Sequence, residues 1–338
     1  IEYMGRHKIE IEKLKKIIDQ FSSLKICVVG DLIVDEYITC EPLGMSQEDP
    51  TIVVSPVDTT RFIGGAAIVA AHAAGLGAKV ELVSIVGSDE AHDFSLNKLI
   101  ESDVATELVV DEGRPTTLKQ RFRSKGKTML RVSHLHQTAI SLALQKHVLE
   151  KIESIIDKVD LLVFSDFNYG CLPQALVDKI ISLAKSHNVM LAADSQSSSQ
   201  IGNISRFSGM DLLTPTEREA RISTRNSEDG LVVLAEQLRN QSSAKNIILK
   251  IGEEGVLIHA SDSNSSDGWV TDRVDALNLS PKDVAGAGDS LLISSALTLA
   301  VGGDIWEATL IGSLAAAIQV SRVGNTPLQK SELLEELS

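Results

Sequence analysis

Short apolar runs alternate with longer stretches in which apolar residues recur at helical spacing, and this order repeats along most of the chain. Lys25–Gly30 is β-branched and ends at Gly30-Asp31, which predicts a buried strand. Val80–Val86, Leu161–Phe164, Val189–Ala193, Leu212-Leu213, Asn246–Ile251 and Val256–His259 read the same way. Helical spacing covers Ile9–Phe21, Ala66–Gly75, Ser141–Asp157, Pro173–His187, Leu231–Arg239, Ala287–Val301 and Ile305–Val320, and Ser88-Asp89-Glu90 opens another helix. Such a βαβα order predicts an α/β fold with a mostly parallel sheet and helices on both faces.

Two segments break that rhythm. Leu32–Val54 predicts two short extended pieces around Glu41–Asp49, and Thr116–Val132 predicts strands about a turn at Ser124-Lys125-Gly126-Lys127. Together, at about residues 32–56 and 114–133, they predict a small β-layer outside the main sheet. Ser195–Gln200 and Ser261–Asp267 read as polar loops. The whole chain, 1–338, reads as a single domain.

The composition, 43% hydrophobic and 23% charged, is that of a soluble globular protein. A net charge of −14 argues against nucleic acid or an anionic membrane as partner. Cys27, Cys40 and Cys171 form no metal or disulfide spacing, which makes the cytoplasm the default location. Cys27 reads as core. No apolar stretch reaches transmembrane length, and the amino terminus lacks a signal-peptide core. The first residue is Ile1 rather than Met, as in a chain trimmed or excised from a longer one.

Candidate chemistry concentrates at strand ends. Gly30-Asp31, Ser165-Asp166, Ala193-Asp194 and Ile251-Gly252 would gather at the carboxyl edge of a parallel sheet, where ligands bind. The plainer reading of each acid is a helix cap. The densest signal is Asp283-Val-Ala-Gly-Ala-Gly-Asp289. Gly286, Ala287 and Gly288 stand where a loop becomes a helix, whose bare N–H groups attract anions. Asp289, in the first turn, is placed to take a proton from an attacking hydroxyl, so the stretch points to phosphoryl transfer. It is neither a dinucleotide fingerprint nor a P-loop.

Other features keep two readings. Gly64-Gly65 allows close backbone approach to a substrate, or is a tight turn before a packed helix. Lys119, Arg121 and Arg123 share one strand face. That face offers cations to a phosphorylated substrate or, as the plainer reading, belongs to a solvated edge strand. Glu219 could orient water around Mg²⁺, or complete a capping box with Thr216. His72, His134, His136 and His187 form no metal-ligand spacing and read as surface or partly packed residues.

The Asp283–Asp289 stretch, with Gly64-Gly65 and Gly30-Asp31, resembles the ribokinase-like (PfkB) carbohydrate kinases over Lys25 to Thr326. Within that family the chain looks most like the kinases of D-glycero-D-manno-heptose 7-phosphate. The segments that carry this are Gly30–Asp35, Met45–Pro50, Gly64–Ala67, Thr116–Lys119, Ser165–Gly170 and Leu213–Pro215. The resemblance implies a ribokinase-like fold with a β-sheet lid, ATP as donor, Mg²⁺ as counterion, a sugar or sugar-phosphate acceptor and a homodimer through the lid. By the same resemblance Asp289 is the catalytic base, and Gly286, Ala287 and Gly288 form the anion hole. It assigns Asp31, Asp35, Gly64, Gly65, Lys119, Arg131 and Asp166 to the substrate. It assigns Lys250, Gly252, Gly255 and Asp283 to the nucleotide, and Glu219 indirectly to the metal. The chain departs from the pattern at Ile68, where the family has a sugar-binding Asn, and at Gln196, Thr216, Lys250 and Ala285. A family member that binds without catalysis is the alternative these departures suggest.

Overall fold

A computed structural model describes residues 2–197 and 201–338. Among the described residues there are thirteen strands: β1 Lys25–Gly30, β2 Leu32–Met45, β3 Ile52–Gly65, β4 Lys79–Val86, β5 Ala105–Val110, β6 Thr117–Ser124, β7 Lys127–His134, β8 Leu161–Asp166, β9 Met190–Ser195, β10 Leu212–Leu213, β11 Asn246–Lys250, β12 Val256–Ser261 and β13 Trp269–Val274. The helices are α1 Glu2–Arg6, α2 Ile11–Gln20, α3 Ala66–Gly75, α4 Glu90–Glu101, α5 Leu142–Ile155, α6 Gln174–Ser186, α7 Glu217–Thr224, α8 Leu231–Ser242, α9 Ala287–Ala300, α10 Ile305–Val320 and α11 Lys330–Glu336.

Nine strands form the main sheet in the order β13-β12-β11-β10-β9-β8-β1-β4-β5. It is parallel from β5 to β11, and β12 and β13 add antiparallel. Two apolar cores cover its faces. One packs α2, α3, α9 and α10 against it, and the other packs α5, α6 and α8. The central strands are buried along nearly their whole length, which is why they read as continuous apolar runs. Cys27 sits in this core.

The remaining strands form a separate sheet in the order β3-β2-β6-β7. It differs from the expected small layer in two ways. Its first hairpin is long, because β2 and β3 pair from Leu32–Gly65 to Met45–Ile52 with register shifts at Thr39/Cys40 and Pro42/Gly44, so β3 ends at Gly65 rather than near residue 56. Alternating Thr59, Arg61 and Ile63 carries that strand, and the charged residues hid it from an apolar pattern. In addition β6 is an interior strand, paired parallel to β2 and antiparallel to β7. Lys119, Arg121 and Arg123 are therefore half-buried, not members of a solvated edge.

Four elements had no sequence expectation: β5, β13, α1 and α11. The polar run Ser261–Asp267 is the loop that leads into β13. The loop expected at Ser195–Gln200 starts one residue later, since Ser195 closes β9, and part of it lies outside the described residues. His72 is wholly buried rather than at the surface. Its Nδ1 accepts from the backbone N–H of Leu328 (2.9 Å), which ties the C-terminal segment to α3.

Candidate active site

The carboxyl edge of the main sheet, the first turn of α9 and the inner face of the small sheet enclose a cavity of about 1050 Å³. Gly286, Ala287, Gly288 and Asp289 form one wall. Gly286 takes φ +78 as the residue before α9, a left-handed turn that places the start of the helix, with its first-turn N–H groups, at the cavity wall. Asp289 is 5% exposed. Burial and then the neighbouring Asp194 push its carboxyl up to about 8, although Lys250 pulls it down.

Lys250 ends β11 and points under this turn. Its Nζ donates to Asp194 Oδ2 at 3.1 Å, and a Cβ on Gly288 would lie 3.0 Å from the same nitrogen. Burial works against its charge, but Asp194, Glu219 and Asp289 outweigh that and hold its value above the usual lysine range. Asp194 is pushed up to about 6, by burial first. The ammonium is thus kept charged at the foot of the anion-attracting turn.

The small sheet supplies the opposite wall. Asp35, Lys119, Arg121 and Arg131 all line the cavity. Asp35 pairs with Lys119 across β2 and β6, and Arg121 with Arg131 across β6 and β7, so these groups share one face. Lys119 Nζ stands 5.5 Å from the Phe167 ring centre and 5.0 Å from that of Tyr169, and Arg121 lies 5.3 Å from the Tyr37 ring. Burial raises the Asp35 carboxyl despite Arg121 and Lys119.

Gly65, Gly252, Gly255 and Glu219 also face the cavity. Glu219 closes the capping box of α7: its Oε1 accepts from Thr216 N (2.9 Å), and Thr216 Oγ1 accepts from Glu219 N (3.1 Å). Both residues line the cavity as well, so the box sets the Glu219 carboxylate at the wall. Among the described residues no three His, Cys, Asp or Glu side chains could hold a metal by themselves.

Four of the residues that the resemblance assigned to substrate or nucleotide lie behind the wall rather than on it. The Asp31 carboxylate accepts from the N–H groups of Phe167 (2.7 Å), Tyr169 (3.5 Å) and Cys171 (3.4 Å), fixing the loop after β8. Burial and the nearby Asp166 push it up to about 7. Asp166 is ion-paired with Arg206 at 2.9 Å and accepts from Ser195 Oγ at 2.6 Å. Asp283 accepts from Tyr37 Oη (2.8 Å), Ala285 N (3.0 Å) and Gly324 N (2.9 Å), binding the small sheet to the turn before α9. Gly64 lies against Asp35: a Cβ there would be 2.5 Å from Oδ2.

Sequence reasoning missed Asn325, Leu277 and Leu279, which all line the cavity. The leucines carried a signal, because two apolar residues in a polar loop, 47% and 86% exposed here, stand ready for an apolar ligand face. Ile68, by contrast, is wholly buried in α3 and is not part of the wall.

The model for "pfkB family carbohydrate kinase" matches residues 23–331. The "Bifunctional protein HldE" of Desulfatibacillum aliphaticivorans is 30% identical over 321 residues, which is 94% of this chain and 64% of that protein. The protein of the same name from Helicobacter hepaticus is 31% identical, covering 93% and 64%. The chain thus spans a little under two thirds of the length of these relatives. Among solved structures, phosphofructokinase-2 from Escherichia coli in complex with substrates and products aligns with a TM-score of 0.76 at 16% identity, over 93% of this chain and 98% of that one. Arabidopsis thaliana ribokinase complexed with ribose and ATP aligns at 0.72 and 17%, over 93% and 99%. These structural likenesses establish the ribokinase-like fold. With the family match spanning nearly all of the sequence, the chain belongs to the PfkB family of carbohydrate kinases.

Proposed function

We propose that this cavity transfers a phosphoryl group from ATP to a hydroxyl of a sugar phosphate, with a heptose 7-phosphate-like acceptor favoured over an unphosphorylated sugar. The observation that carries the reading is the opposition of two walls across one cavity. Buried Asp289 and the N–H groups of α9 stand on one side, and Lys119, Arg121 and Arg131 on the other.

Asp289 takes the proton of the attacking hydroxyl. The N–H groups around Gly286–Gly288 and the Lys250 ammonium bear on the phosphoryl oxygens, where negative charge builds in the transition state. The Lys119, Arg121 and Arg131 cations hold a phosphate already on the acceptor, and Asp35 and Gly65 meet its hydroxyls. Gly252 and Gly255 shape the nucleotide end, where Leu277, Leu279 and Val284 offer an apolar face to a base. Glu219 would hold Mg²⁺ through water, and a site without a three-ligand cage fits a cation bound jointly with phosphates. When bound, Mg²⁺ offsets charge on the phosphate oxygens. Asp31, Asp166, Gly64 and Asp283 serve the site by fixing the loops and strands that carry these groups. The small sheet acts as a lid over one kinase unit and excludes water from the transfer.

Exposed Leu43, Met45, Ile52, Val57 and Leu130 on the lid strands support a homodimer in which a second copy covers them. The free, buried cysteines support a cytoplasmic location. No helix of the described residues is long and apolar enough to cross a membrane.

The test is ADP release with ATP and Mg²⁺ across a panel of sugars and sugar phosphates that includes D-glycero-D-manno-heptose 7-phosphate. Release with a sugar phosphate supports the proposal. Binding without release across the panel would favour a non-catalytic member of the family.

A further inference from the structure

After α10 the chain turns back to the cavity at Gly324-Asn325. Asn325 is 8% exposed and lines the cavity between its two walls. Its Nδ2 donates to Asp35 Oδ2 at 3.3 Å, on the lid side. Its Oδ1 is buried, and no donor among the described residues reaches it. A buried carboxamide oxygen without a donor is costly, so such oxygens are rare unless something outside the protein satisfies them.

The surroundings are cut to admit this side chain. A Cβ on Gly64 would lie 2.5 Å from Asp35 Oδ2 and 3.3 Å from Asn325 Nδ2, so the bare glycine lets amide and carboxylate meet. A Cβ on Gly286 would overlap Asn325 Oδ1. The orphan oxygen therefore sits at the turn that opens α9, close to where phosphoryl transfer takes place.

The chemistry selects what faces it. A carboxamide oxygen only accepts hydrogen bonds. Phosphoryl oxygens are acceptors too and carry negative charge, so they cannot satisfy it. A hydroxyl of the phosphoryl acceptor can. We propose that Asn325 is a specificity-determining residue: its Oδ1 accepts a hydrogen bond from a ring hydroxyl of the sugar while its Nδ2 orients Asp35 beside the same ring. An amide thus reaches the acceptor pocket from the C-terminal segment rather than from α3, where Ile68 stands in the core.

This inference rests on the kinase reading, and the test separates the two. Wild type, Asn325→Ala and Asn325→Leu are compared, the leucine keeping the volume without the polar atoms. D-glycero-D-manno-heptose 7-phosphate and fructose 6-phosphate serve as probes. Acceptor KM, ATP KM and kcat are measured, together with calorimetric binding of each sugar phosphate in the absence of ATP. The expected result is a roughly 5- to 100-fold rise in acceptor KM and Kd for the probe that wild type accepts, with ATP KM unchanged. Equal rises in both KM values, or a loss of kcat with acceptor Kd unchanged, would overturn the inference. If wild type binds a probe but releases no ADP, the kinase reading fails, and the Kd comparison still decides this one. If wild type binds neither probe, both fail.

Discussion

Lys250 Nζ lies 3.1 Å from the buried Asp194 Oδ2, directly beneath the Gly288 turn that opens α9. A cation in that position is costly unless an acid compensates it, and Asp194, at the end of β9, is that acid. Removing Lys250 should therefore act twice. Lys250→Met should lower kcat by roughly 10²–10³-fold, as expected for a lost transition-state charge partner. It should also lower the melting temperature, because Asp194 is left buried and unpaired. The double variant Lys250→Met/Asp194→Asn should recover melting temperature and not kcat. Recovery of both would make the pair purely structural.

On the proposed function, the small-sheet cations Arg121 and Arg131 select a phosphorylated acceptor. Neither Arg121 nor Arg131 forms an ion pair among the described residues, and both line the cavity. Arg121→Ala or Arg131→Ala should raise KM for a sugar phosphate about tenfold or more, because each removes a charge-assisted contact. KM for the corresponding unphosphorylated sugar should change little. Steady-state kinetics on the matched pair measures this, and equal effects on both acceptors would remove the phosphate from the account.

Asp289 links activity to stability through pH. Its folded-state value is pushed from 3.8 up to about 8, by burial first. Between those two values the folded protein keeps a proton that the unfolded chain has released, so stability falls as pH rises through this window. Asp289→Asn should flatten that fall and melt at least about 2 °C higher than wild type at pH 8. As the proposed base, Asp289 has to be ionised in wild type, so kcat/KM should climb with pH through an apparent value near 8. Thermal melts across pH and a kcat/KM profile check both. A profile limb near the ordinary carboxylate range would contradict the environment described for Asp289.

Much of this was legible in the sequence, for physical reasons that can be named. β1, β8 and β9 are buried on both faces, so their apolar runs marked them without help from context. The Gly286–Asp289 turn was legible because a left-handed residue, a helix start and an acid in the first turn each leave a local mark. β3 was only half legible, since a lid strand with Arg61 and Asp58 among its threonines lacks an apolar face. Whether Lys119 and Arg121 met solvent or a cavity depended on β2 lying beside β6, a contact between distant segments that spacing cannot reveal. The strand-end acids show the same limit. Asp31, Asp166 and Asp194 look alike in sequence, yet Asp194 pairs with the cavity-lining Lys250, Asp31 holds the backbone of the cavity-lining Phe167, and Asp166 pairs with Arg206 away from the wall. Asn325 left no local signal, because its importance comes from Asp35, Gly64 and Gly286 converging on it.

The central claim is that Asp289 is the base of a sugar-phosphate kinase. Its most direct test is ADP release by wild type and Asp289→Asn, with ATP, Mg²⁺ and the best acceptor from the panel, alongside ATP binding by calorimetry. The account predicts a loss of roughly 10²–10⁴-fold in kcat with ATP affinity nearly unchanged. Turnover equal to wild type in the asparagine variant would contradict it.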